Sequence, residues 1–114
     1  MDKDVLVKRL RQAFAELEQK GFVTQSVHLI PPQLLFKAKS FILVVSSSAF
    51  GGLTVLEKTR KLRELVTAKL DDKTRQHINM MWAFDTSAEA MERIDLEVGD
   101  ETYLITPVLE PAHA

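Results

Sequence analysis

The residues best placed to do chemistry are concentrated between Ser46 and Arg63. Three serines, Ser46, Ser47 and Ser48, run into Phe50-Gly51-Gly52, and the segment beyond carries Lys58, Arg60, Lys61 and Arg63. A serine nucleophile would sit in a G-x-S-x-G elbow, and that pattern is absent, so a turn role is the reading for the serines. A phosphate cradle would need Gly-Lys-Ser/Thr at Walker spacing, which does not follow Gly52. Thr54-Val55-Leu56-Glu57 matches a capping box, which sets the Glu57 carboxylate at the helix start where an anion would have to sit. The glycines then supply backbone freedom for a strand-to-helix turn. The basic residues leave two readings open: a solvated surface, or a face for nucleic acid or an acidic partner.

At about 100° per residue, Val55, Thr59, Leu62, Val66 and Leu70 form one stripe, expected to be buried. Lys58 and Lys69 fall on one flank of that stripe, Arg63 on the other, and Arg60 and Lys61 on the outer face, so the cations surround the stripe and form no single seam.

Other candidates are sparse. His28, His77 and His113 are far apart in sequence, whereas a metal site needs several convergent ligands. Asp71-Asp72 and Asp100-Glu101 read as solvated turn carboxylates. Trp82 shares a strand face with Ile78 and Met80, which favours packing over base stacking. The chain has no cysteine, which excludes disulfides, thiolate metal sites and a thiol nucleophile. No catalytic constellation emerges, and the expectation is that the protein is not an enzyme and holds no cofactor.

With 114 residues and 46% hydrophobic content, the chain suits one globular core. No apolar run approaches the roughly 18 residues of a membrane span. The charged stretch Met1 to Lys8 does not resemble a secretory signal, so a cytoplasmic protein without a membrane partner is expected. A net charge of −1 conceals an asymmetry: residues 1–53 and 54–83 each carry seven basic and four acidic residues, and residues 84–114 carry one basic and eight acidic.

The elements that would position these residues follow from periodicity. Asp4 is expected to cap a helix to Lys20 with Leu6, Leu10, Ala13, Phe14 and Leu17 on its inner face, closed by Gly21. Val23 to Ile30 reads as a strand stopped by Pro31-Pro32, and residues 33–40 as a loop. Phe41 to Val45, continuously apolar, reads as a central strand covered on both faces. The helix from Val55 to Leu70, a break at Asp71-Asp72-Lys73 and an alternating strand from Ile78 to Phe84 come next. Thr86 or Ser87 caps a short helix ending near Ile94. Ile94, Leu96 and Val98, then Gly99-Asp100, then Thr102 to Val108 suggest a terminal hairpin with Pro107 at an edge and a frayed end. The expected fold is a two-layer α+β domain in the order α-β-β-α-β-α, with helices on one face of a small mixed sheet.

This pattern resembles the BolA family. The residues that carry the likeness are Val44-Val45-Ser46, Phe50-Gly51-Gly52, Lys58-Thr59-Arg60, and Asp85-Thr86-Ser87-Ala88-Glu89 after Met80-Met81-Trp82-Ala83-Phe84, within a span of roughly residues 5–94. The resemblance implies a type II KH-like core over residues 1–94, with residues 95–114 as an added hairpin and tail. It also implies a contact surface around Phe50, Gly52, Lys58, Arg60, Lys61 and Arg63, and a monothiol glutaredoxin as the kind of partner. The family's histidine that helps hold a shared iron–sulfur cluster falls on Thr59, and its second ligand has no counterpart in residues 31–40. A threonine hydroxyl does not replace imidazole as an iron ligand. The expectation is therefore a small BolA-like regulatory or adaptor protein working through protein contacts without its own cluster. The alternative is a KH-like nucleic-acid binder using the basic helix 55–70.

Overall fold

A computed structural model describes residues 3–32, 40–97 and 102–106. Among the described residues the fold is α+β, with four α-helices and one mixed four-stranded sheet. In chain order the elements are α1 (Lys3–Gln19), β1 (Ser26–Ile30), β2 (Phe41–Ser46), α2 (Val55–Thr67), the single-turn α3 (Asp72–Arg75), β3 (Ile78–Phe84), α4 (Ser87–Glu97) and β4 (Tyr103–Thr106). The sheet order is β3-β2-β1-β4. β2 and β3 are parallel, joined through α2, and β1 pairs antiparallel with both β2 and β4.

Helix α1 buries Leu6, Leu10, Ala13, Phe14 and Leu17, the stripe its periodicity predicts. Asp4 lies inside its first turn and is not the expected cap; from there it still complements the positive end of the helix. At the other end Gly21 takes φ +97°, Gly21 N donates to Glu18 O, and Phe22 N donates to Leu17 O. That pair of bonds closes the helix on its own backbone, with Phe22 and Leu17 packed into the same core. Strand β1 begins at Ser26, three residues later than Val23, and ends at Ile30 before the prolines as expected.

Leu6, Leu10 and Phe14 of α1 and Leu62 and Val66 of α2 share one cluster with Val27, Leu29, Leu43 and Val45. The two helices therefore cover the same sheet face and make the two-layer core. Helix α4 departs from the one-sided arrangement: Ala90 and Ile94 pack with Ile30 and Val44 on the opposite face. Continuous apolarity of β2 is explained by this double cover, since its alternate residues enter different clusters.

Strand β3 holds an irregularity that simple alternation does not anticipate. Phe41 pairs with Ile78 but Ile42 pairs with Met80, so one extra residue is inserted on β3. Ile78 consequently joins the α1/α2 core, whereas Trp82 and Phe84 pack toward α4 and Met80 is exposed. The expected shared face for Ile78, Met80 and Trp82 is thus broken at the bulge.

The expected terminal hairpin is also corrected. Ile94 lies in α4, which continues through Glu97, and β4 pairs with β1. Val98, Gly99, Asp100 and residues 107–114 lie outside the described residues, as do residues 33–39 of the loop expected over 33–40. A boundary at residue 94 would cut α4. It would also separate β4 from its own sheet, where Ile105 is a member of the main core. Arg11 ties β4 to α1 by donating from Nε to Ile105 O at 2.9 Å, and the Lys3 ammonium lies 4.3 Å from the centre of the Tyr103 ring.

Candidate functional site

The turn from β2 into α2 is organised by the serines. Ser46 pairs with Ser26 through their hydroxyls at 2.5 Å, both fully buried. Ser47 donates to Val23 O at 2.6 Å and accepts from Ala49 N, capping a 3-10 turn over Ser48–Phe50. Both side chains are thus committed to backbone and strand contacts, as the turn reading requires. Gly52 takes φ +79°, a conformation that strains any residue with a Cβ. Helix α2 then starts with both halves of its capping box made: Glu57 N donates to Thr54 Oγ1 at 3.2 Å, and Thr54 N donates to a Glu57 carboxylate oxygen at 3.1 Å. Thr54, first through its backbone N–H and then through its hydroxyl, holds the Glu57 carboxyl below the usual carboxylate range. The anion expected to occupy the helix start is therefore Glu57 itself.

The six residues expected at a contact surface are not brought together. Phe50 is fully buried, its ring 5.6 Å from that of Phe22 and tilted against it. An aromatic residue ending a turn at the mouth of a core is drawn inward by its apolar area, so Phe50 is corrected from a contact residue to a core residue. Gly52 is exposed and shapes the turn. Lys58 is turned inward, its side chain 15% exposed, and its ammonium lies 2.8 Å from an Asp85 carboxylate oxygen just beyond β3. That ion pair neutralises one of the four cations and ties α2 to the end of β3. Arg60, Lys61 and Arg63 remain exposed, with the Lys61 ammonium donating to Ala49 O at 3.3 Å. Thr59, at the position of the absent imidazole, donates its hydroxyl to Val55 O one turn back.

One residue of the expected stripe changes its role. Val55, placed by periodicity on the buried stripe, is 79% exposed, and its neighbour Leu56, outside that stripe, is 67% exposed. The stripe actually buried in α2 consists of Leu62 and Val66, with Leu70 buried just past the helix. Helical geometry puts Leu56, Arg60 and Arg63 on one flank at spacings i, i+4 and i+7. An exposed aliphatic pair followed by two guanidinium groups is consequently the most distinctive surface on this helix. The signal available in the sequence was the capping box: it starts the helix at Val55, so a whole turn precedes the first residue that meets the core.

Elsewhere, His28 is buried on β1 opposite Val44 and Leu104, and burial pushes its imidazole below the usual histidine range. Among the described residues, neither of its ring nitrogens has a hydrogen-bond partner. Among the described residues no group of three or more His, Asp or Glu is arranged to hold a metal ion, and no helix is long and apolar enough to cross a membrane. Compared with known proteins, the chain matches no family model, no curated protein and no solved structure.

Proposed function

We propose that this is a small BolA-like adaptor protein that contacts a protein partner through the flank of α2 formed by Val55, Leu56, Arg60 and Arg63. The carrying observation is the exposure of Val55 and Leu56, 79% and 67%, at the start of a helix whose cap is complete. Exposed aliphatic residues bordered by arginines suit a protein surface with an apolar anchor point and acidic neighbours. On this reading no catalytic residue is assigned and the chain supplies no cluster ligand, since the Thr59 hydroxyl is engaged by its own helix. A monothiol glutaredoxin is the partner suggested by the resemblance.

Charge favours this reading over the nucleic-acid alternative. The cations of α2 are Lys58, Arg60, Lys61 and Arg63; Lys58 is paired with Asp85, and Glu57 and Glu64 flank the run at either end. With few uncompensated cations, the helix would neutralise few phosphates and gain little from counterion release.

The test is titration of isotope-labelled protein with a monothiol glutaredoxin and, separately, with a single-stranded oligonucleotide. Amide shifts at Val55–Arg63 with the glutaredoxin are expected. They should be abolished by Leu56→Ser together with Arg60→Gln, without any cluster ligand from this chain. Shifts at the same positions with the oligonucleotide alone would transfer the site to the nucleic-acid reading.

A further inference from the structure

The opposite flank of α2 carries a different feature. A groove of about 410 Å³ runs between the end of α1 and the second half of α2. Leu17, Leu65 and Ala68 provide apolar lining, and Lys20, Lys61 and Lys69 stand around it with Glu64 as the acidic lining residue. Lys20 and Lys69 both line this groove. Lys69, first as a hydrogen-bond donor to the neutral Lys20 amine and then by charge repulsion, pushes the Lys20 ammonium below the usual lysine range. The nearest counter-charge is Glu16, 3.7 Å from the Lys69 ammonium.

Two ammonium groups brought together next to one carboxylate repel, and nothing in the secondary structure requires them there. Helix α1 is already closed by the backbone bonds of Gly21 and Phe22, so Lys20 is not needed as its C-cap. An incoming anion would turn the repulsion into attraction. Lysine ammonium groups are hydrated point charges without the fork that grips a phosphate, and the apolar lining would be left unused by a small inorganic anion. An extended chain lying between two helices, with an aliphatic side chain against Leu17 and Leu65 and a carboxylate between the lysines, uses both features.

We propose that the groove between α1 and α2 binds an acidic segment of a partner protein, with a carboxylate bridging Lys20 and Lys69 and an aliphatic side chain on the apolar lining. This site is separate from the Leu56–Arg60–Arg63 flank and makes α2 a two-sided contact element. Its affinity should decline with salt, because Lys20 is exposed and Lys69 is only partly buried.

The experiment uses the full chain and a fluorescein-labelled peptide alternating leucine and glutamate, with the leucine–glutamine peptide as the uncharged control. Saturable binding of the glutamate peptide alone is expected, with the Lys20 ammonium titrating at higher pH in the complex. Lys20→Gln combined with Lys69→Gln should weaken binding about tenfold, two ion pairs near the surface being worth together about 1.4 kcal/mol. Arg60→Gln with Arg63→Gln should leave it unchanged, which separates this site from the adaptor flank. Lys20→Gln alone should also weaken binding yet melt no lower than the parent, since it removes a repulsion, so lost binding in this variant cannot be assigned to unfolding. No saturable binding, equal binding of the glutamine peptide, displacement by millimolar inorganic phosphate, or loss only in the arginine variant would each overturn the proposal.

Discussion

Alternate residues of the same strands build the two faces of the sheet, yet the faces are closed by different means. The face under α1 and α2 is apolar throughout: Val27, Leu29, Leu43 and Val45 meet Leu6, Leu10, Phe14, Leu62, Val66 and Phe50 in one cluster. Among the described residues, the face under α4 has a smaller buried apolar cluster of Ile30, Val44, Ala90 and Ile94. It also buries the Ser26–Ser46 hydroxyl pair and the unpartnered His28. Dispersion and the hydrophobic effect suffice for the first face, and the second adds polar groups whose satisfaction decides their cost. The first face should therefore carry most of the stability, and the second should carry most of its sensitivity to pH and to polar substitution.

The largest expected effect is on the first face. Phe50→Ala should cost about 3–5 kcal/mol by denaturant unfolding, from lost transfer energy and the cavity left beside Phe22. A cost no greater than that of an exposed substitution would break the comparison, since it would remove Phe50 from the core.

The second face should respond to pairing. Ser46→Ala alone should cost about 1–3 kcal/mol because it strands the buried Ser26 hydroxyl, and Ser26→Ala with Ser46→Ala should cost less than the single change. An additive double-mutant cycle would mean that the two hydroxyls do not depend on one another.

His28 sharpens the contrast through pH. Its folded pKa lies below the unfolded value of 6.5, so the unfolded chain binds the extra proton. Stability linked to His28 is fully present above 6.5 and is lost as pH falls from 6.5 through the depressed folded value. Replacing the unsatisfied ring nitrogens by a side chain without donor or acceptor, His28→Leu, should flatten that part of the stability profile and raise stability at neutral pH by about 1 kcal/mol. A profile with the same slope in parent and variant would locate the titration elsewhere.

The smallest of these effects concerns the cap that starts α2 over the first face. Thr54→Ala should cost about 1 kcal/mol and Thr54→Ser almost nothing. Equal losses from both would assign the position to packing of the threonine methyl group.

Local chemistry was legible in the sequence wherever one segment contains all the participants. Leu6, Leu10, Phe14 and Leu17 repeat at helical spacing, Gly21 closes α1, and Thr54 and Glu57 cap α2; each of these depends on residues a few positions apart, and each is observed. The α+β class follows from the same periodicities. Tertiary structure decided the rest, because it depends on partners remote in the chain. Lys58 became unavailable because Asp85 sits at the end of the parallel neighbour strand. Phe50 left the surface because Phe22 waits for it across the α1 turn. Ile78 and Met80 parted because pairing with β2 inserts a bulge that alternation within β3 does not encode. β4 joined β1, and α4 crossed to the second face, because those edges and surfaces exist only once the sheet has formed. The exposed pair Val55 and Leu56 has the same origin: periodicity assigns a residue to a side of its helix, but only the assembled fold determines how far along that helix the core extends.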